Sequence, residues 1–328
     1  MQTAQLRVGA CAAVLLAIVQ AAHAQTQSPA AYPSRPIRMI APSSPGGPTD
    51  IVARTISQGL SEVLGQQIVV DNRAGAGGSI GAEVVANAQP DGYTLMISHS
   101  GPLAIEPLLH AKASYDPAKD FAGISLVAAS PYLLLVNTSV PAKSVKELIA
   151  FAKSRPGKLN YASGGQGTGL HMAGELFNLA AGVQITHVAY KGAVPGMTAL
   201  MAGEVDMMFN GVSSALPQVR AGKVRALAVA GAKRTPLLPD LPTIAESGLN
   251  YDTSGWYGFV APRGTAPAIV SKLHRDLLKA LDMPQMKERL ATQGIEPIGS
   301  TSAQFSAFLR EELTKWGKVV RAAGMKAQ

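Results

Sequence analysis

The chain has very few cysteine, charged and aromatic residues. Cys11 is the single cysteine among 328 residues, 15% of the residues are charged, and 5% are aromatic, whereas 47% are hydrophobic. If the N-terminal segment containing Cys11 is removed, no thiol remains for a disulfide, a thiolate metal site or a cysteine nucleophile. The composition therefore indicates a compact globular protein rather than a disordered one.

Long hydrophobic runs are also absent, which argues against a membrane anchor. Arg7, the apolar stretch 8–19 and Ala22-His23-Ala24 together have the pattern of a secretory signal. We expect a signal peptide over residues 1–24, cleavage after Ala24, export to the periplasm and a flexible tether over residues 25–34.

The net charge is +8, but the lysines and arginines are scattered along the chain. No aromatic residues alternate with them, so the sequence predicts no nucleic-acid partner. A positive field could speed the capture of small anions, and a solvated basic surface explains the charge equally well. The histidines lack metal-ligand spacing, and no phosphate-binding loop occurs, so we expect neither a metal nor a cofactor.

Two glycine-rich turns lie at Ser44–Asp50 and Ser163–Gly169. Each follows an apolar run and precedes a helical pattern. A strand-to-helix turn without side chains lets backbone N–H groups and the positive end of a helix dipole point at one ligand oxygen. The alternative is that both are ordinary turns of an α/β fold.

Strand and helix patterns alternate along the chain, which predicts parallel sheets. We expect lobe 1 to comprise residues 35–130 and 253–328, and lobe 2 to comprise residues 131–252. Ser144 is the expected cap of the first helix of lobe 2. Ligands of open α/β sheets bind beyond the carboxyl ends of strands, so the polar residues after two predicted strands should face a cleft. These are Ser98, Ser100, Asn210 and Ser213, for which a plain loop role fits equally well.

The segment Gly77–Gly81 matches the G-x-S-x-G pattern of α/β-hydrolases and suggests an alternative function, a secreted serine esterase that uses Ser79. However, the residues 71–76 separate this motif from the preceding apolar run. A nucleophile elbow sits at the very end of its strand, so a turn that packs a helix on a sheet explains these glycines better.

Six sequence blocks in a fixed order carry a family resemblance: Pro45–Arg54, Asp71–Gly78, Pro90–Leu95, Tyr161–Thr168, His187–Gly192 and Ala261–Thr265. They resemble the periplasmic substrate-binding proteins of tripartite tricarboxylate transporters, the Bug receptor family, over nearly all of the mature chain. The resemblance implies an α/β, two-lobed, type II Venus-flytrap fold with a mostly parallel sheet in each lobe and two crossover segments. It also implies a monomeric receptor that delivers a small organic anion to a permease without catalysis. A di- or tricarboxylate, an amino acid and an aromatic acid all remain open as the ligand.

In that family, main-chain groups, small hydroxyls and water hold the ligand's carboxylates. Carried over to this chain, the ligand-binding positions are Gly46, Gly47 and Thr49 in lobe 1 and Ser163, Gly164, Gln166, Gly167 and Thr168 in lobe 2. The family usually has an aromatic residue near the position of Ser43 or Ser44, so this wall is smaller and more polar here. The two serines either admit a bulkier or more hydroxylated acid or have no effect. Asp50 either caps its helix or contacts a ligand amine or a bridging water.

Overall fold

Strands and helices alternate along most of the chain, as the sequence predicts. The computed structural model describes residues 32–110 and 114–325. The predicted signal peptide and most of the tether lie outside these residues. From Arg35 onward the chain forms one compact unit. Within the described ranges, no helix has the length and apolar character that a membrane span requires.

The strands are β1 (Ile37–Ala41), β2 (Ile68–Asn72), β3 (Thr94–Ser98), β4 (Phe121–Asn137), β5 (Asn160–Ser163), β6 (Thr186–Ala189), β7 (Met207–Gly211), β8 (Val224–Val229), β9 (Ser254–Pro262) and β10 (Glu296–Pro297). The helices are α1 (Pro48–Leu64), α2 (Ser79–Ala86), α3 (Glu106–Leu109), α4 (Pro117–Asp120), α5 (Val145–Ser154), α6 (Gly169–Ala181), α7 (Ala193–Ala202), α8 (Val212–Arg220), α9 (Pro267–Asp282), α10 (Pro284–Thr292) and α11 (Ser302–Ala322). Single helical turns of other types occur at Ala76–Gly78, Gly101–Ile105 and Ala245–Ser247.

The strands join in the order β2-β1-β3-β9-β4-β7-β5-β6, and β8 and β10 pair with β4. The outer strands pair in parallel, β1 with β2 and β3, and β5 with β6 and β7. The described antiparallel pairs all involve β4 or β9. The sheet is therefore more mixed than the expected parallel arrangement, because β4 and β9 run antiparallel to the neighbours with which they pair.

Strand β4 is the connection between the two halves. The sequence suggests two apolar runs around Pro131, but the structure has one strand of 17 residues. Up to Pro131 it pairs with β9, and from Tyr132 onward it pairs with β7. Proline has no N–H to donate, so a change of partner at this residue sacrifices little of the ladder.

Two apolar cores correspond to the two halves. One draws its buried residues from Tyr132 to Tyr251. The other combines residues between Ile40 and Leu126 with residues between Trp256 and Val320, and takes Met172 from α6. We use lobe 1 and lobe 2 for the predicted ranges, whose exact boundaries stay a prediction.

Helix starts follow local sequence signals. Pro48 is the first residue of α1, as expected, because its fixed φ suits that position and its missing N–H would have had no helical acceptor. The Ser144 hydroxyl accepts from the Glu147 N–H at 3.2 Å, which confirms the predicted cap of α5. At the start of α6, the Thr168 side chain accepts from the N–H of His171.

Candidate functional site

A cavity of about 50 Å³ lies where residues of both predicted lobes meet. Its wall, as described, contains no Asp, Glu, Lys or Arg side chain. From lobe 1 it is lined by Pro42, Ser43, Pro48, Thr49, Ala74, Gly75, Gly77, Gly78, His99 and Tyr257, and from lobe 2 by Tyr132, Gly164, Thr168, Gly169, Leu170, Gly192 and Ala193.

Four helices begin at this cavity: α1, α2, α6 and α7. The first N–H groups of a helix have no acceptor inside it, and the helix dipole makes that end positive. Thr49, Leu170 and Ala193 are such first-turn residues in the cavity wall. A neutral wall with several helix starts favours an anion, held by N–H donors rather than by a side-chain cation.

The first glycine turn uses two of its N–H groups internally. The Gly46 N–H donates to Asp50 at 2.8 Å, and the Gly47 N–H donates to the Ser44 carbonyl at 3.1 Å. Both N–H groups of these predicted ligand-binding residues therefore have partners within the turn, and Thr49 is a first-turn residue in the wall. A ligand contact by Gly46 or Gly47 stays a prediction.

Asp50 is 3% exposed and its carboxylate is fully engaged. Besides the Gly46 N–H, it accepts from Asn72 at 2.9 Å and pairs with Arg54 at 3.0 Å. These contacts tie Asp50 to the turn before α1 and to Asn72 and Arg54, whereas the helix itself has no side-chain cap. They use both carboxylate oxygens, and a ligand contact by Asp50 stays a prediction.

Several predicted hydroxyls are buried without a protein partner in the described chain. They belong to Ser43, Ser44, Ser98 and Ser213. Ser43 lines the cavity. Ser44 lies against Gly192 of lobe 2, where an added Cβ would overlap its side chain. Such hydroxyls are available to a ligand or to water.

Two other predicted polar residues, Ser100 and Asn210, are not among the wall residues. The Ser100 hydroxyl and the Tyr132 phenol both lie beside Gly169, where an added Cβ would be 2.5 Å from the Ser100 oxygen and 2.6 Å from the Tyr132 oxygen. The Asn210 side-chain oxygen accepts from the N–H of Gly211 at 2.9 Å, at the start of α8.

The second glycine turn is held by neutral side chains. The Ser163 hydroxyl accepts from the Gly165 N–H at 3.1 Å and contacts the His187 ring at 2.6 Å. The Thr168 hydroxyl donates to the Gly165 carbonyl at 2.8 Å, and the Gly167 N–H donates to His171 Nδ1 at 3.2 Å. Within this turn, Gly164 and Thr168 reach the cavity wall.

Gln166 is the exposed residue of the same turn. Its carbonyl oxygen would lie 2.8 Å from a Cβ on Gly77, so its main chain contacts lobe 1. The predicted residues of the second turn therefore have three roles. Gly164 and Thr168 line the cavity, Ser163 and Gly167 hydrogen-bond within the turn and to His171, and Gln166 contacts lobe 1.

His171 and His187 stack beneath this turn, with ring centroids 3.9 Å apart. Burial lowers the pKa of His171 to about 3, helped by the neighbouring imidazole, and burial lowers the pKa of His187 to about 4. Both rings are therefore neutral near pH 7, and the Nδ1 atom of His171 can accept the Gly167 N–H.

Sequence reasoning missed part of the wall. The glycines of Gly75–Gly78 follow β2 and are the local signal of a third glycine turn. The hydrolase motif over the same residues indicates Ser79 instead of this turn. Tyr132 and Tyr257 come from the central strands β4 and β9, and only the strand pairing brings them to the cavity. Burial lowers the pKa of His99 to about 4, so this wall residue is neutral as well.

Ser79 lies outside the cavity wall and has the wrong neighbours for a nucleophile. Its hydroxyl donates to Glu106 Oε2 at 3.3 Å and lies 3.4 Å from the Tyr115 phenol. The nearby imidazole of His110 contacts Glu106 rather than Ser79. Among residues 32–110 and 114–325, no group of three or more His, Cys, Asp or Glu could hold a metal ion.

Comparisons with known proteins identify the family of this chain. The family model of the tripartite tricarboxylate transporter family receptor matches residues 52–325. Protein BugT of Bordetella pertussis is 38% identical over 297 residues, covering 90% of this chain and 91% of BugT. A solved R. palustris structure with adipate is 39% identical, has a TM-score of 0.87 and covers 89% of this chain and 98% of that one. MatC from Rhodopseudomonas palustris with bound malate is 36% identical, has a TM-score of 0.83 and covers 88% of this chain and 100% of MatC.

Proposed function

Because the chain belongs to the tripartite tricarboxylate transporter receptor family, we propose that it is a periplasmic receptor for a small organic carboxylate. It holds the acid in the cavity between the lobes and delivers it to a permease of the same transporter type. It acts as a monomer, catalyses no reaction and needs no cofactor.

The observation that carries this proposal is a cavity wall without charged side chains at which four helices begin. Helix N-termini stabilise an anion without a neutralising cation, and unpartnered serine hydroxyls add further donors. Two relatives were solved with adipate and malate, which places dicarboxylates first among the ligands to test.

A thermal-shift screen of carboxylates tests the ligand class. The mature chain is heated with adipate, malate, tricarboxylates, amino acids and aromatic acids, and each hit is compared with its uncharged amide. A ligand at 100 times its dissociation constant stabilises the native state by about 2.7 kcal/mol. No shift with any acid, or equal shifts with the amides, would contradict the proposal.

Gly164→Ala tests the location of the site. Gly164 does not need a positive φ, and its new Cβ would lie 3.2 Å from the Ala193 nitrogen, covering that helix start. We expect at least tenfold weaker binding of the best acid by calorimetry, since a charge-assisted hydrogen bond is worth about 1.5–3 kcal/mol. Gly317→Ala, on α11 and away from the cavity, is the matched control. Equal affinities in both variants would mean that the acid does not bind beside Gly164.

The same preparation tests the competing esterase function. The receptor should not hydrolyse p-nitrophenyl esters, and Ser79→Ala should still bind the acid. Ester turnover that disappears in Ser79→Ala would overturn the receptor proposal.

A further inference from the structure

Glu106 is a buried carboxyl group between two glycine-rich turns, just outside the cavity wall. It begins the short helix α3 and is 2% exposed. Its Oε1 atom lies against Gly77 of lobe 1 and Gly167 of lobe 2, so closely that an added Cβ on either glycine would overlap it. One carboxyl oxygen therefore contacts both lobes.

The other oxygen, Oε2, has polar partners from lobe 1 only. It accepts from the Ser79 hydroxyl at 3.3 Å and lies 3.1 Å from His110 Nε2. Burial raises the pKa of Glu106 to about 7, although the Ser79 hydrogen bond lowers it. Both protonation states of Glu106 are therefore accessible near neutral pH.

Among residues 32–110 and 114–325, no Lys or Arg side chain pairs with Glu106. His110, directly after the same helix, has a 39% exposed side chain and is charged only when protonated. The other titratable groups on the elements around Glu106 are Tyr115, Glu83 on α2, His171 behind Gly167, and Glu312 on α11, which accepts from the indoles of Trp256 and Trp316. An uncompensated buried charge is unfavourable, so the closed contact suits the neutral acid.

We propose that Glu106 is a positioning residue that latches the second glycine turn to lobe 1 when its carboxyl group is protonated. This inference rests on the proposed function, because the latched turn is the one proposed to bind the acid. The neutral carboxyl packs against Gly77 and Gly167, whereas the ionised carboxyl favours separation of the turns and hydration. Closure over a ligand therefore takes up a proton.

The pH window follows from the change in the pKa of Glu106. An exposed glutamate has an ordinary value of 4.5, and the latched carboxyl has a pKa of about 7. Ligand affinity should fall as pH rises between these values and level off above them. Affinity at pH 6 should be roughly tenfold higher than at pH 8.

Hydrogen exchange without ligand tests the latch directly. The amides of residues 163–168 are followed by NMR across pH 6.5–8.5, above the range in which protonation of His171 and His187 acts on this turn, and corrected for intrinsic exchange. In wild type, their protection should fall as pH rises toward about 7 and level off above it, and in Glu106→Gln it should stay high. Ser79→Ala removes the bond that lowers the Glu106 pKa, so its midpoint should move upward. Identical profiles in wild type and both variants would overturn the latch.

Two controls separate Glu106 from its neighbours. Glu83→Gln, which removes another lobe 1 carboxylate, should behave as wild type. His110→Asn should keep a pH-dependent profile, because the proposed switch is the carboxyl group and not the imidazole. A profile that disappears in His110→Asn but persists in Glu106→Gln would assign the switch to His110 and refute the proposal.

Calorimetry with adipate and malate then links the latch to binding. Wild type should bind roughly tenfold more tightly at pH 6 than at pH 8, beyond any pH effect shared with Glu106→Gln. An equal pH dependence in both proteins would overturn the latch. If neither acid nor any other carboxylate binds while the exchange profiles behave as expected, the proposed function fails and the latch stands.

Discussion

The two glycine turns have the same place in their lobes and opposite means of support. Each precedes a helix that begins at the cavity. The first turn is held by charge, since Asp50 accepts from its own loop and pairs with Arg54. The second turn is held by hydroxyls and by neutral rings, of which His171 and His187 are kept uncharged by burial.

The two turns therefore have a similar backbone arrangement but different supporting side chains. In both lobes, glycines allow the turn, and the N–H groups at the start of the next helix are the expected anion donors. A carboxylate beside the first turn is acceptable because Gly46, Asn72 and Arg54 use its oxygens. A proton on the second turn's histidine would remove the acceptor of the Gly167 N–H. Acid should therefore act on the second turn through its imidazoles.

Acidification should give the largest contrast between the turns. The pKa values of His171 and His187 are lowered from 6.5 to about 3 and about 4. The unfolded chain then binds protons first, so this contribution to stability is present above pH 6.5 and is lost as pH falls toward those values. The free energy of unfolding should drop by about 1.4 kcal/mol per pH unit for each imidazole. Urea unfolding at pH 7, 5.5 and 4.5 measures the slope.

His187→Asn should reduce the slope of unfolding free energy against pH by about 1.4 kcal/mol per pH unit, which corresponds to one fewer proton bound on unfolding. Amide exchange at pH 4.5 locates the effect, with residues 163–168 losing protection before residues 44–50. His99→Asn is the control, because His99 is also neutral and buried but lies in lobe 1. If both turns lose protection together, the contrast in their support is wrong.

Valine substitutions should give the next largest effect, and an unequal one. Gly165 has φ of +126°, which strains any β-branched residue, whereas Gly47 has φ of −75°, which any residue adopts, although an added Cβ there would lie 3.1 Å from the Ser44 carbonyl oxygen. Gly165→Val should weaken binding roughly a hundredfold or more, because a distorted turn would displace the wall residues Gly164 and Thr168, at a cost comparable to two charge-assisted hydrogen bonds. Gly47→Val should weaken it less, about tenfold, because its ordinary φ leaves the first turn closer to its native shape.

Calorimetry with the best acid gives these ratios, and circular dichroism checks that each variant folds. Gly182→Val controls for backbone strain, since Gly182 has φ of +61° and open space around it. If Gly182→Val weakens binding as much as Gly165→Val does, the loss comes from strain and not from the site.

Local signals explain how much of the fold the sequence predicts. Pro48 and Ser144 mark helix starts through their own chemistry, and short-range glycine patterns mark both turns. The two-lobed α/β fold of periplasmic binding proteins and the family are confirmed. The lobe boundaries and the ligand contacts stay predictions.

The rest depends on contacts between residues distant in sequence. No local pattern shows that β4 continues through Pro131, because the change of partner there is decided by β7 and β9. The same pairing brings Tyr132 and Tyr257 to the cavity wall. The sequence around Glu106 resembles that of an ordinary helix residue, and only the folded structure shows that Gly167 of the other lobe packs against its carboxyl group.

The smallest expected effect concerns the N-terminal caps of α1 and α6. Helix α1 has Gly47 at its N-cap and no side-chain cap, whereas the Thr168 hydroxyl caps α6 by accepting from His171 N–H at 3.3 Å. Thr168→Val keeps the volume and removes the cap, which should lower the free energy of unfolding by about 1 kcal/mol. Thr198→Val is the matched control, because that exposed hydroxyl only donates to a carbonyl within its own helix. Urea unfolding at pH 7 measures both variants. A loss in Thr168→Val no larger than in Thr198→Val would mean that the Thr168 cap does not stabilise the second turn and that Ser163 and the histidines support it.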